Sequence, residues 1–294
     1  MTKVTRFPPK FRASNALELS EAAMNERKTP NIIGLILAAG KGSRMKSDLP
    51  KVLHKIAGRT LIERVYDTLD EAGIRDKCVV LGKDIEPFTA FLQDHQEAVV
   101  CIQKNPKGTG DAVAAAMAGF QATKVPPYTE AEVFRGDLKD AEYCLICYGD
   151  TPCLPASMLQ DFIDDSLKAG VDMALIAMEH PEPTGYGRVV TDDRGDFQAI
   201  VEEKDASPDQ KTISLCNTGI VFAKKSVLNE ALHLINDQNA QGEYYLTDCF
   251  SVAKRQGHRV GVFATDEYRY FGGVNTQAQL AELEQWAEPR GTQP

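Results

Sequence analysis

Hydrophobic residues are grouped along this chain in two recurring patterns. Five runs are almost wholly apolar: NIIGLILA (31–38), KCVVLG (77–82), AVVCIQ (98–103), YCLICY (143–148) and VDMALIAM (171–178). Runs of this length without polar alternation predict strands buried on both faces. Between most of them lie helix-like stretches, at 61–72, 109–120 and 156–169. Buried strands alternating with helices predict an α/β chain with a mainly parallel, Rossmann-like sheet covered on both faces. Ligands of such sheets bind at the carboxyl ends of the strands. The stretch GTGDAVAAAMAGF (108–120) carries small residues at helical spacing, and its alanine face is expected to pack closely on the sheet.

From about residue 181 the pattern changes. GRVVTDDRGDFQAIVEEKD (187–205) reads as two short strands around a turn at 192–195, a small β-rich lobe spanning roughly 181–223. Residues 124–141 are polar and proline-bearing, and are expected to form a surface excursion. The tail after about 287 is short and polar, and no internal repeat is visible.

The composition adds few exclusions. With 294 residues, 43% hydrophobic and 26% charged, the chain is an ordinary globular one. Its net charge of −9 argues against nonspecific nucleic-acid binding and against anionic membranes. No apolar run reaches the roughly 18 residues of a membrane span, and no apolar core marks the first 30 residues as a secretory signal. Residues 1–17 are basic and acid-free, which leaves a transit segment open. Glu18, Glu21 and Glu26 favour a disordered extension over 1–30 or a start at Met24. The seven cysteines are odd in number and follow no framework, so reduced thiols in the cytoplasm are expected. Cys144 and Cys147 form a CxxC, but residues three apart in a strand face opposite ways, so a shared metal is not expected.

An acidic protein that binds an anion must gather cations locally. LILAAGKGSRMKSDLPKVLH (35–54) does so at the end of the first strand, with Lys41, Arg44, Lys46 and Lys51 around a single acid, Asp48. Gly40 and Gly42 would admit close approach of the backbone to a phosphate at the start of a helix. Pro50 would aim Lys51 back into the loop. The third glycine of the dinucleotide fingerprint is missing, and GxxxxGK[ST] is absent. A solvated basic turn is the alternative on these residues alone. The five histidines are dispersed, and no Ser/His/Asp constellation is detectable.

The loop resembles the signature LxxGxGTxMxSxxPK of sugar-nucleotide pyrophosphorylases, with Ser43 in the usual Thr place. The likeness continues through IQKNPKGTGDA (102–112), YGDTP (148–152), PTGYGRVV (183–190), IVEEKDA (200–206), NTGI (217–220), GEYYLTD (242–248) and GVN (273–275). These motifs are most similar to those of the uridylyltransferase domain of the bacterial bifunctional N-acetylglucosamine-1-phosphate uridylyltransferases. They cover residues 31–286, which the resemblance marks as one domain of the nucleotide-diphospho-sugar transferase fold.

The resemblance implies transfer of UMP from UTP to N-acetylglucosamine 1-phosphate, with Mg²⁺ as cofactor, in the cytoplasm, giving a cell-envelope precursor. It implies that Arg44 and Lys51 hold the phosphates. Leu37, Ala38, Ala39, Gly40, Gln103, Gly108, Thr109, Tyr148 and Gly149 would contact the nucleotide. Gly187, Glu202 and Asn217 would hold the sugar, and Asp150 and Asn275 the metal. Of the adjacent Glu202 and Glu203, only one can face the sugar, and the IVE match selects Glu202. The hexapeptide repeats of the left-handed β-helix that follows in the bifunctional enzymes do not appear here, so acetyl transfer is not expected. Another sugar 1-phosphate, another nucleotide such as CTP, or a non-catalytic regulatory subunit remain as alternatives. The oligomeric state is left open.

Overall fold

Each of the five apolar runs forms a strand of one sheet, and each predicted helix covers a face of it. The computed structural model describes residues 30–40, 42–120 and 123–286, with two short strands nearer the N-terminus. In chain order the strands are β1 (Thr5–Arg6), β2 (Arg12–Ala13), β3 (Ile32–Leu37), β4 (Lys55–Ile56), β5 (Arg59–Thr60), β6 (Asp76–Gly82) and β7 (Val99–Gln103). They continue with β8 (Ala131–Arg135), β9 (Tyr143–Tyr148), β10 (Met173–Glu179), β11 (Arg188–Thr191), β12 (Phe197–Val201), β13 (Leu215–Lys224) and β14 (Val260–Thr265). The α-helices are α1 (Leu61–Glu71), α2 (Thr89–Asp94), α3 (Thr109–Met117), α4 (Ala156–Ala169), α5 (Lys225–Leu232), α6 (Asp248–Arg255) and α7 (Gln277–Trp286).

The main sheet has the order β1-β2-β14-β10-β13-β9-β3-β6-β7-β8. Strands β9, β3, β6 and β7 are parallel neighbours, as are β10 and β14. Strand β13 runs antiparallel between β10 and β9. Alternate residues of the central strands supply two cores. Ile33, Leu35, Cys144 and Ile146 meet α3, α5 and α6 on one face; Ile36, Leu145 and Cys147 meet α1 and α4 on the other. Cys144 and Cys147 thus lie on opposite faces of the sheet, as period-two alternation requires. Burial pushes both thiols up to about 12, so they are neutral small hydrophobes. Among the described residues no helix is long and apolar enough to cross a membrane.

Helix α1 begins with a capping box. The Thr60 hydroxyl accepts the Glu63 N–H, and the Glu63 carboxylate accepts the Thr60 N–H at 2.7 Å. Two N–H groups with no partner inside the helix are thereby satisfied.

Three features position the site. From β3 the chain passes to β6 and β7 on one side and returns to β9 on the other, so the carboxyl end of β3 is a topological switch point. The β11–β12 hairpin, with its turn closed by Asp192 N–H on Asp196 O at 3.0 Å, hangs from β13 through the pairing of Arg188 with Cys216. It is a small β-rich element inside the 181–223 stretch, while β13, which takes up the end of that stretch, belongs to the main sheet. Beyond it, the segment after β14 crosses back to the switch point, where Val274 N–H bonds Asp150 O at 2.9 Å.

Residues 124–141 differ from the expected surface excursion. They supply β8, the antiparallel edge strand on β7. Arg135 fastens that edge by donating to Leu92 O, His95 O and Ala98 O at 2.8, 2.6 and 3.1 Å. An arginine that satisfies three carbonyls around the end of α2 is structural, though its composition reads as surface. Within the N-terminal extension, β2 pairs with β1 and with β14. The remainder of 1–29 falls outside the described residues, and with it the expectation of disorder there; so does the short polar tail, 287–294.

Candidate active site

A cavity of about 650 Å³ opens at the carboxyl edge of the sheet. Its floor is the turn after β3, where Ala38 N–H bonds Val80 O at 2.9 Å and Leu37 O accepts the Gly149 N–H at 2.9 Å. Leu37, Ala38, Ala39 and Gly40 line it. The two loop glycines serve different ends. A Cβ on Gly40 would meet nothing within 4 Å, so that glycine leaves open space toward the cavity. Gly42 has φ +61°, and a Cβ there would stand 2.5 Å from the Lys51 Cβ. Only glycine lets the lysine stem lie against the loop. Pro50, at φ −50°, opens the 3₁₀ turn Lys51–Leu53 that brings it there.

The expected helix start at this loop is corrected. Only a 3₁₀ turn, Ser43–Met45, follows the glycines. One such turn aligns too few peptide dipoles to act as a helix N-terminus. The positive charge offered here comes from side chains.

Those side chains meet at one point. Lys51 Nζ donates to Asp150 Oδ2 and, at 3.0 Å, to Asn275 Oδ1. Arg44 Nη2 donates to the same Asn275 oxygen at 2.9 Å. Asp150 follows β9, and Asn275 lies just before α7, where its N–H is held by Gln279 Oε1 at 2.9 Å. A carboxylate oxygen and an amide oxygen thus converge on a single cation. Hard oxygen donors of this kind suit Mg²⁺, which keeps waters and substrate oxygens beside few protein ligands. The donor set therefore fits the expected metal.

At one end of the cavity stand Gln103, at the tip of β7, and the start of α3. Gly108 has φ +111°, and a Cβ there would lie 2.6 Å from Tyr244 O. Tyr244 N–H bonds Lys107 O at 2.7 Å, and Leu246 N–H bonds Thr109 Oγ1 at 3.0 Å. This loop and the 242–248 motif are therefore joined directly. Tyr148 lines the cavity. Gly149 does not, and instead packs beneath the floor, its Cβ position 3.3 Å from Ala38 and Val52.

At the other end are Gly187, Glu202 and Asn217. Asn217 N–H bonds Gly187 O at 2.8 Å, and its Oδ1 accepts the Gly219 N–H at 3.0 Å. Glu202 and Glu203 lie just past the end of β12, at the start of a turn, and their side chains separate there. Glu203 turns outward to the Arg188 guanidinium at 2.7 Å, and Glu202 turns into the cavity. Burial pushes the Glu202 carboxyl above the usual range, with Asp248, Asp205 and Glu243 acting in the same direction against one hydrogen bond from Thr247 Oγ1 at 2.9 Å.

The cavity thus gathers every residue the resemblance named except Gly149. Sequence reasoning missed Tyr186, Gln241 and Tyr245 on its wall, and Thr247 and Asp111 behind it. The motifs PTGYGRVV and GEYYLTD contain Tyr186, Tyr245 and Thr247, so a signal was present there without a role. Chemically, the arrangement can hold a polyanion at the cation cluster, with an uncharged planar group on one side and a hydroxyl-rich group on the other.

A model of the MobA-like NTP transferase domain matches residues 34–242. The chain belongs to that family of nucleotidyltransferases. The bifunctional protein GlmU of Clostridioides difficile (strain 630) is 33% identical over 255 residues, 87% of this chain and 51% of that protein. GlmU of Stutzerimonas stutzeri (strain A1501) is 40% identical over 251 residues, 85% of this chain and 50% of its own length. The chain spans about half the length of the curated relatives it matches. A putative glucose-1-phosphate thymidylyltransferase from Bacillus anthracis, solved with sucrose, superposes with a TM-score of 0.66 at 17% identity, over 87% of this chain and 95% of that one. The inositol-1-phosphate CTP transferase of T. maritima gives 0.61 at 17%, with the same coverage. These two establish the shared fold.

Proposed function

We propose that the chain transfers UMP from UTP to N-acetylglucosamine 1-phosphate, releasing pyrophosphate and forming UDP-N-acetylglucosamine. The observation that carries this reading is the convergence of Arg44, Lys51, Asp150 and Asn275 between the Gln103 end of the cavity and the Glu202 end. The choice of uracil and of N-acetylglucosamine is supported by the likeness to the GlmU proteins across the quoted motifs.

A sugar-phosphate oxygen attacks the α-phosphorus of UTP, the bond from that phosphorus to the bridging oxygen breaks, and pyrophosphate leaves. The attacking phosphate is largely a dianion near neutral pH, so no general base is needed. What the uncatalysed reaction lacks is the in-line approach of two polyanions. Arg44 offers a planar fork to phosphate oxygens, and Lys51 a point charge. Gly187 leaves room beside the Glu202 carboxylate, whose oxygens stand 3.3 Å from its Cβ position, so a sugar hydroxyl or amide can donate to that carboxylate. Asp150 and Asn275 would hold Mg²⁺, which would supply charge neutralisation for the phosphates. Reduced, buried thiols fit a cytoplasmic setting.

Pyrophosphate release, measured with Mg²⁺ across a grid of nucleoside triphosphates and sugar 1-phosphates, tests the reading. Release with UTP and N-acetylglucosamine 1-phosphate alone is expected. Release with another pair keeps the mechanism and changes the substrates. Silence from folded, UTP-binding protein moves the weight to a regulatory subunit.

A further inference from the structure

We infer that Asp111 is a positioning residue for base selection: it locks the Gln103 amide so that Gln103 offers the base an acceptor and never a donor. The inference rests on the nucleotidyl-transfer reading above. Gln103 lines the cavity at the tip of β7 and is 2% exposed. Its Nε2 donates to Asp111 Oδ2 at 2.6 Å and to Gly108 O at 3.3 Å, which occupies both amide hydrogens. Asp111 is fully buried in the first turn of α3 and does not itself line the cavity. Its Oδ2 also accepts the Lys107 N–H at 3.1 Å.

These contacts fix the amide by elimination. Asp111 Oδ2 already receives two N–H donors, from Gln103 and Lys107, and stands as an acceptor to both. Turning the Gln103 amide over would set its Oε1 against Oδ2, two acceptors 2.6 Å apart with no room for a water between them. Asp111 Oδ1 has no partner among the described residues, so the carboxylate cannot spare the amide donor. Oε1 is then the part of the Gln103 amide left to meet a ligand. The base edge of uracil carries one hydrogen, on N3, between two carbonyls. An acceptor held at N3 takes that hydrogen. Cytosine puts a lone pair at N3 and meets the same oxygen with repulsion. A single buried hydrogen-bonding group can separate substrates strongly, because the wrong one leaves it unpaired. Sequence alone hides this, since an aspartate at the head of an alanine-rich helix reads as a first-turn acid.

The test separates binding from turnover. Kd and kcat/KM for UTP and CTP are measured with wild type, Asp111→Asn, Gln103→Ala and the double variant. Both contacts fall on Oδ2, so an asparagine keeps the Lys107 N–H only with its oxygen there; by turning over at the cost of that bond it can present NH₂ to Gln103, which lowers the penalty on a flipped glutamine. The UTP:CTP ratio should fall by about tenfold or more in Asp111→Asn, with the KM for sugar phosphate unchanged. In the Gln103→Ala background the same substitution should leave the ratio where it is, because Asp111 acts through Gln103. An equal loss for both triphosphates, an unchanged ratio, or a wild-type preference for CTP overturns the inference. If Asp111→Asn fails to fold, wild type decides alone. It should bind 3-deazauridine triphosphate, with C–H in place of N3–H, about tenfold or more weakly than UTP; equal binding overturns the inference. Selective UTP binding without pyrophosphate release defeats the proposed reaction and leaves this inference standing. Turnover of UTP with an unmoved ratio does the reverse.

Discussion

Lys51 and Arg44 reach an oxygen of Asn275 that lies more than 220 positions along the chain from either. Asp150→Asn keeps the size of that neighbour and removes its charge. Turnover should drop about 10²–10³-fold, the scale set by loss of one charge-stabilising group, while circular dichroism and Tm stay near wild type. Near-normal turnover would sink the metal role. Glu202 invites a pH experiment. Its folded-state pKa lies above the ordinary 4.5, so between those two values the folded protein holds a proton that the unfolded chain has released. Stability contributed by this group therefore falls as pH rises through that window. Glu202→Gln should accordingly melt higher than wild type at pH 7 and turn over more slowly, and the melting gap should close near pH 4.5. A variant that melts lower at pH 7 would contradict the burial argument. Arg44 and Lys51 stood out as cations beside the loop glycines, with a solvated turn as the alternative, and Asp150 was picked out only through the resemblance of YGDTP. Thr247 was not, because a hydroxyl that steadies a buried carboxylate leaves no trace in spacing.

The glycine loop is the element most exposed to a small change. Gly42→Ala adds a methyl at positive φ, which costs an L-residue about 1–2 kcal/mol, and presses it into the Lys51 stem. The expected result is a modest loss of Tm and a loss of kcat/KM of about tenfold or more, since a 1 Å misplacement of a catalytic group is felt strongly. Unchanged kinetics would mean that Lys51 finds its place without the glycine. The apolar runs announced their strands because continuous burial leaves no other use for such a sequence. The loop misled, because a glycine-rich turn after a strand has the same local chemistry whether a helix or one 3₁₀ turn follows. Strand β8 was hidden for another reason. As an edge strand it exposes every second residue, and its inward-reaching Arg135 is polar.

At the scale of the whole molecule, the parallel α/β class was readable but the strand order was not. Period and composition say which residues are buried. They say nothing of which strands are neighbours, so the antiparallel β13 inside a parallel sheet could not be placed. The fold as a whole should not depend on the metal, because backbone groups of its ligands have protein partners of their own: Val274 N–H bonds Asp150 O, and Asn275 N–H bonds Gln279 Oε1. Chelation with EDTA is expected to stop pyrophosphate release, leave Tm unchanged within a degree or so, and be reversed by added Mg²⁺. A large fall in Tm on chelation would instead mark the metal as part of the scaffold.

Asn275 has a bearing on biosynthesis. The ribosome makes the base-side residues, the glycine loop and Asp150 early, and β14, the last strand of the sheet, ends at Thr265. The final oxygen of the cation cluster arrives ten residues later, on a segment that must fold back to Asp150. A nascent chain that has emerged only through β14 can therefore be well folded and still lack the completed site. Completion of the cation cluster is therefore expected to wait on the segment after β14, whatever the order in which the rest of the sheet forms.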